Sequence, residues 1–191
     1  RGHHAGYYPG AKTLLLKLLF DTQGAILGAQ AVGEKGIDKR IDIIATAIKG
    51  KLTIYDLPEI EVAYAPPFNS AKDPVNIAGY VAENMLSGNL EMVHYHNFHA
   101  FVQEHNAIVL DVRTPQEFAA GHIEGAININ VDNLRAQLGS MDKQRMYVVY
   151  CQVGMRGYLA YKILKNNGFK TVNLNGGYFL WAKVQAALSA I

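Results

Sequence analysis

Cys151 is the chain's only cysteine, and it stands in "YVVYCQVGMRGYLAYKIL" (147–164), where an apolar run stops and a helical pattern begins. Strand, tight loop, helix is a site-building arrangement, because ligands of open α/β sheets bind beyond the carboxyl ends of the strands. A thiol there meets loop N–H groups and the start of the next helix, and both favour thiolate over thiol. Gly154 lets the loop curl so that several N–H groups can converge on one anion. Arg156, five positions past the cysteine, brings a positive charge to the helix start. The pattern points to a nucleophilic thiol, with Cys151 and Arg156 reacting and Gln152, Val153, Gly154, Met155 and Gly157 forming the loop. The competing reading is a buried thiol that packs as a small hydrophobe, as free cysteines commonly do.

Other polar residues nearby invite quieter readings. Asp111, at a strand end, can orient the loop. Arg113 and Glu117 lie four apart around a capped turn and are expected to pair with each other. His122 in "GHIEGA" is expected to order a turn. His94, His96, His99 and His105 crowd together in sequence, but no cysteine accompanies them and no recognised ligand spacing is kept, so no metal site is expected.

The elements that must position the thiol follow from periodicity. "AIVLDV" (107–112) reads as a short buried strand, and "TPQE" after it supplies Thr114 as N-cap, Pro115 at the first helical position and Glu117 as the reciprocal cap. "AINI" is a strand, and Val131, Leu134 and Leu138 mark a short helix. "MYVVY" (146–150) is the strand that ends at Cys151. Residues 157–167 read as a helix with Leu159, Ile163 and Leu164 inward and Gly168 as its stop, and "TVNL" and a helix through Trp181 follow. Strands alternating with helices imply a parallel sheet.

The first half has a different grammar. Leu14, Leu16, Leu18 and Phe20 alternate, "DTQG" turns the chain, and residues 12–33 predict a β-hairpin. Asp38 is expected to cap a helix carrying Ile41, Ile44, Ala45 and Ile48, closed by Gly50. A second helix is expected to start at Asp73 and Pro74 and to stop at Gly88. The fold class is thus α/β overall: an α+β domain with an antiparallel sheet (1–90), then an α/β domain with a parallel sheet (94–191). The boundary is expected in the polar, poorly periodic stretch 87–101.

Bulk properties exclude several classes. The chain has 191 residues, half of them hydrophobic and 18% charged, which is globular composition. A net charge of +2 with no basic run longer than Lys39-Arg40 offers no footprint for nucleic acid or an anionic membrane. "LLLKLLF" is too short to span a bilayer, and one cysteine cannot form an internal disulfide framework. A cytoplasmic location is expected. The chain opens on Arg1 without a signal-peptide pattern and reads as a piece of something longer.

"LDVRTPQEFAAGHIEGAINI" (110–129), "YCQVGMRG" (150–157) and "NLNGGYFLW" (173–181) together resemble a rhodanese domain over residues 94–191. The resemblance implies that Cys151 accepts a sulfane sulfur as a persulfide and passes it to a thiol, with Gln152 to Arg156 as its cradle. Phosphatases with a cysteine nucleophile use a longer loop than the four residues between Cys151 and Arg156, so that chemistry is disfavoured. Many rhodaneses carry Ser or Thr after the loop arginine, where this chain has Gly157.

"HAGYYPGAKTLLLKLLFD", "GAILGAQAVGEKGIDKRIDIIATAI" and "AYAPPFNSAKDPVNIAGYVAENML" resemble the dimerisation domain of pyridine nucleotide–disulfide reductases, specifically coenzyme A-disulfide reductases of the rhodanese-fused type. That resemblance implies a homodimer whose first domain lends tyrosines to the partner's coenzyme A or disulfide site: Tyr64, and Tyr7 or Tyr8. A phenol there can donate to a thiolate or a leaving thiol. FAD, NAD(P)H and coenzyme A are implied for the full-length relative and none for these residues, since "GAILGAQAVG" has the wrong spacing for a dinucleotide turn. The alternative is a non-catalytic dimerisation module that only binds a thiol or sulfur compound.

Overall fold

The alternating leucines form β1 (Leu14–Phe20), antiparallel to β2 (Ile26–Gly33), in a computed structural model that describes residues 1–189. Asp21 fastens the turn by accepting from the N–H groups of Gln23 and Ala25 at 2.9 Å each. Leu16, Leu18 and Phe20 pack with Ile26, Ile44, Ile54 and Val75. Helix α1 (Ile37–Lys49) lies against the hairpin, and α2 (Pro74–Leu86) carries the expected Asp73 cap, completed by Asn76 into a reciprocal box. Asp38 is not the cap of α1. The helix starts at Ile37 behind Gly36 (φ +70°), and Asp38 sits in the first turn, where its charge still suits the helix dipole. Glycine is required at 36 because a Cβ there would lie 2.5 Å from Nη1 of Arg40.

Arg40 is the unforeseen centre of this unit. Its side chain is 1% exposed and pairs with Asp73 at 2.8 Å. It also donates to the Asn69 side chain and to the carbonyls of His3 and Gly36. One buried guanidinium thus ties the N-terminal segment, α1, the loop before α2 and the α2 cap.

The chain divides into two compact units, Arg1–Asn89 and the residues after it. The second unit holds a five-stranded parallel sheet of β3 (Met92–Val93), β4 (Ile108–Asp111), β5 (Ile127–Asn128), β6 (Met146–Tyr150) and β7 (Lys170–Leu174), in the order β3-β7-β6-β4-β5. One face packs Leu110, Val149, Ala160, Tyr161 and Leu164, and the other packs Phe98, Val148, Tyr150, Ile123 and Trp181. Burial on both faces explains why β4 and β6 read as unbroken apolar runs. Strand β3 lies inside the stretch expected to be linker, and α3 (Phe98–Glu104) follows it. Two residues on a sheet edge give no periodic signal.

Helices α4 (Pro115–Ala119) and α5 (Val131–Gln137) follow β4 and β5, and α6 (Met155–Asn166) begins two residues earlier than its periodicity implied. Its inner face is Gly157, Ala160, Tyr161 and Leu164, whereas Leu159 is 47% exposed. Helix α7 (Gly177–Leu188) closes the described chain. Among the described residues no helix is long and apolar enough to cross a membrane.

Candidate functional site

Strand β6, at the centre of the sheet, delivers Cys151 one residue past its end, with the side chain 1% exposed. The loop is Gln152 to Gly154, and Met155 already belongs to α6. Gly154 takes φ +134°, and its N–H donates to the thiol Sγ at 3.1 Å. That backbone is strained for any residue with a Cβ.

Arg156 lies in the first turn of α6, close enough to Cys151 for a thiolate there to strengthen its hold on its proton. Its main partner is another group. Nη1 and Nη2 meet the Glu117 carboxylate at 2.6 and 2.7 Å, a bidentate pair. This pair, helped by the Thr114 N–H, holds the Glu117 carboxyl down at about 2. Glu117 therefore caps its own helix, α4 (Pro115–Ala119), and binds the loop arginine.

The expected Arg113–Glu117 pair does not form. Asp111 accepts from the backbone N–H of Arg113 at 2.9 Å, a tight turn that swings the Arg113 side chain back onto the same carboxylate at 2.6 Å. Both are buried, at 2% and 0% exposure. The rest of the guanidinium reaches the Gln152 side-chain oxygen (3.1 Å) and the Gly121 carbonyl (2.7 Å), and it lies 4.2 Å from the Tyr178 ring centre. Asp111 thus reaches the loop at second hand, through Arg113 and Gln152.

The start of α7 completes the cradle, and sequence reasoning gave it no role. The N–H groups of Tyr178 and Phe179 donate to the carbonyls of Cys151 (2.9 Å) and Gln152 (3.0 Å). Gly177, at φ +60°, has no room for a Cβ, which would collide with the Cys151 carbonyl. The glycine pair 176–177 just before a helix was the available signal. Gly157 is likewise a packing requirement: a Cβ would stand 2.5 Å from Oδ1 of Asn173, a buried atom without a hydrogen-bond partner. Val153 and Met155 are half-exposed, at 49% and 52%.

Two further groups were expected from sequence. Tyr7 and Tyr64, 57 positions apart, bring their hydroxyls to 3.3 Å, and this contact raises the pKa of Tyr7 above its ordinary value. Tyr8 instead sets its ring edge-on to the buried His4. His122 bonds the Phe118 carbonyl and stacks on that ring at 3.8 Å. His94 meets Asn175 and stacks with His96. Among the described residues no group of three or more His, Cys, Asp and Glu is placed to hold a metal ion.

The Rhodanese-like domain family matches residues 95–184, and the Pyridine nucleotide-disulphide oxidoreductase dimerisation domain family matches residues 2–74. The chain joins a disulphide-oxidoreductase dimerisation domain to a rhodanese-like domain. It is 51% identical over 85 residues to a coenzyme A disulfide reductase of Staphylococcus haemolyticus, covering 44% of this chain and 19% of that protein. A Staphylococcus aureus coenzyme A disulfide reductase is 49% identical over 84 residues, with the same coverage. Among solved structures, the reduced Bacillus anthracis CoADR-RHD matches with a TM-score of 0.93 at 45% identity, covering 98% of this chain and 34% of that one. A NAD-dependent persulfide reductase from A. fulgidus gives 0.85 at 36% identity, covering 95% and 32%. The chain therefore spans about a fifth of the curated relatives and about a third of these structures.

A dinucleotide cofactor does not fit the described residues. The glycine-bearing stretch "ILGAQAVG" is an antiparallel hairpin strand, and the strand-to-helix turn after β6 is occupied by the thiol loop of the rhodanese-like domain.

Proposed function

We propose that Cys151 carries sulfane sulfur as a persulfide, in a module that serves a reductase of coenzyme A disulfide, coenzyme A persulfide or polysulfide. The observation that carries this reading is the cradle itself. A sole thiol at the end of the central strand receives the Gly154 N–H on its sulfur, while Arg113 and the start of α7 hold the loop. The Cys151 thiolate attacks the outer sulfur of a donor R–S–SH; a new S–S bond forms, the donor's S–S bond breaks, R–S⁻ leaves, and the proton stays on the transferred sulfur. An acceptor thiolate then takes the terminal sulfur and releases the Cys151 thiolate. Since the chain has one cysteine, that acceptor comes from outside it.

The reductive half, with FAD and NAD(P)H, belongs in this reading to domains outside these 191 residues, and coenzyme A is the mobile carrier. The names of the similar coenzyme A disulfide and persulfide reductases support it. The first domain forms a homodimer, which would cover Leu27 and Val32, apolar side chains exposed at 66% and 69%. The contact between Tyr7 and Tyr64 favours these two, rather than Tyr8, as the hydroxyls offered to the partner's disulfide site.

The near-complete burial of Cys151 favours a second reading, a thiol-binding assembly module without catalysis. Intact mass separates the two. Incubated with polysulfide, the chain should gain one reducible sulfur that Cys151→Ser lacks. No gain, together with a thiol inert to alkylation at neutral pH, would establish the second reading.

A further inference from the structure

Asn173 is a buried polar residue close to the thiol that neither the fold nor the carrier reading has used. Strand β7 reads Lys-Thr-Val-Asn-Leu, and Val172 and Leu174 pack into the core on the sheet face that carries Phe98 and Trp181. Alternation turns Asn173 to the opposite face, under the start of α6. It is 4% exposed, and among the described residues its Oδ1 has no hydrogen-bond partner. A buried oxygen left unmatched costs free energy that a leucine of similar shape would not. Strand pairing holds the residue there: Asn173 pairs with Val149 on one side and Met92 on the other, and its N–H donates to the Glu91 carbonyl at 2.9 Å. Helix α6 yields to the same atom. It carries Gly157 in its first turn, where a Cβ would stand 2.5 Å from Oδ1, although glycine inside a helix is itself unfavourable. Two unfavourable choices therefore keep one oxygen at one point.

A donor borders the same space. The Cβ position that Gly157 leaves open lies 3.5 Å from the backbone nitrogen of Cys151. The pairing of β6 with β7 ends at Val149, so the Cys151 N–H lies past that ladder. The Cys151 carbonyl, by contrast, is held by the Tyr178 N–H at 2.9 Å. With the thiol unmodified, the N–H and the Asn173 oxygen share a small space without bonding each other. Cys151 is 1% exposed, and a sulfur atom added to it displaces close-packed surroundings. With the carbonyl pinned, the N–H end is the part of the residue that can tilt.

We infer that Asn173 is a positioning residue for the loaded thiol: when Cys151 carries a second sulfur, its N–H closes on Asn173 Oδ1, and that bond favours the loaded form over the unmodified one. The inference rests on the sulfur-carrier reading for its purpose, and it is indifferent to which compound supplies the sulfur. An acceptor unmatched in one state and matched in the other biases the equilibrium by the worth of one hydrogen bond. The cost of the buried oxygen in the unmodified chain is then the driving force for keeping sulfur on Cys151.

The test uses the whole chain and loads Cys151 with methyl methanethiosulfonate, a probe that needs no sulfane sulfur. The Cys151 thiolate attacks the methylthio sulfur; Cys151–S–S–CH3 forms, the S–SO2 bond breaks and methanesulfinate leaves. Asn173→Leu keeps the branched shape and removes the polar atoms. Unmodified, this variant should unfold at a urea midpoint no lower than that of the unaltered chain, because an unmatched oxygen has gone. In exchange with glutathione, which returns the thiol and releases methyl glutathionyl disulfide, the equilibrium of the variant should lie about fivefold further toward the thiol. Loading should slow hydrogen exchange at the Cys151 amide about tenfold in the unaltered chain and leave it unchanged in the variant. A lower midpoint for unmodified Asn173→Leu would overturn the inference, since the oxygen would then be bonded before loading. Equal exchange equilibria, or an amide whose protection ignores loading, would overturn it too. None of these results touches the carrier reading, which the mass gain with polysulfide decides. The three expected shifts without any gain from polysulfide would keep the hydrogen bond and remove the carrier reading. If Asn173→Leu fails to fold, the Cys151 amide of the unaltered chain decides. A thiol that the probe cannot load would overturn both.

Discussion

Each unit of the chain buries one arginine on one aspartate, Arg40 on Asp73 in the first and Arg113 on Asp111 in the second. The pairs are alike in burial and in what they do, since each spreads its remaining donors onto loops that carry candidate chemistry. They differ in reach. Arg113 and Asp111 are two positions apart, and a backbone turn prepares their contact, whereas Arg40 and Asp73 are 33 positions apart and meet only when the unit folds. The sites they support differ as well. Cys151 is buried by its own chain at 1% exposure, while Tyr7 and Tyr64 stand in the open at 78% and 51% exposure. A sulfur carrier has to hold one reactive atom still, and a residue lent to a partner has to stay accessible. The two surroundings match the two tasks proposed for them.

The strongest way to break the comparison is to remove each arginine. Arg40→Ala and Arg113→Ala each leave a buried carboxylate without its partner and should destabilise their own unit by about 3–5 kcal/mol. Urea unfolding followed by amide hydrogen exchange, read peptide by peptide in residues 1–89 and in those after them, should show one transition shifted and the other unmoved. A joint shift would mean that the two units fold as one. Gly177→Ala should cost less, about 1–3 kcal/mol from its positive φ and the displaced Cys151 carbonyl. It should also change the alkylation rate of Cys151, which a purely structural glycine would not.

The Glu117–Arg156 pair sharpens the comparison through pH. Its folded carboxyl is held at about 2, below its ordinary 4.5, so its contribution is complete above 4.5 and is lost as pH falls toward 2. The unaltered chain and Glu117→Gln should therefore differ most in urea midpoint near neutrality and converge in acid. The side chains are about a third exposed, so solvent screening keeps the gap small. The smallest effect is expected at the open site. Tyr64→Phe should change stability by less than about 0.5 kcal/mol. It should lower the pKa of Tyr7 toward its ordinary value near 10, as read by ultraviolet titration.

How far the site could be read from sequence follows from how locally each part is determined. The alternation of β1, the Thr114–Glu117 and Asp73–Pro74 starts and the apolar run into Cys151 are patterns spanning a few residues, and the structure keeps all of them. Leu159 was misplaced because the inner face of α6 is built by Gly157, Ala160 and Tyr161 together with Ile163 and Leu164, and a half-exposed leucine beside them reads in sequence as a core residue. The strand β3 escaped notice because two edge residues carry no period.

By itself the sequence determined the two kinds of domain, the order of strands and helices along the chain and the place of the thiol, because caps, turns and periodicities act within a turn or two of backbone. Only the tertiary structure decided which carboxylate holds which arginine. Glu117 reaches Arg156 across 39 positions because β4 and β6 are neighbours in the sheet, and Asp111 takes Arg113 because a local turn reaches it first. The packing of α7 onto the Cys151 carbonyl, the burial of Arg40 and the contact of Tyr7 with Tyr64 are of the same kind. Each joins groups whose separation in sequence carries no information about their distance, and that distance is set by how the elements pack.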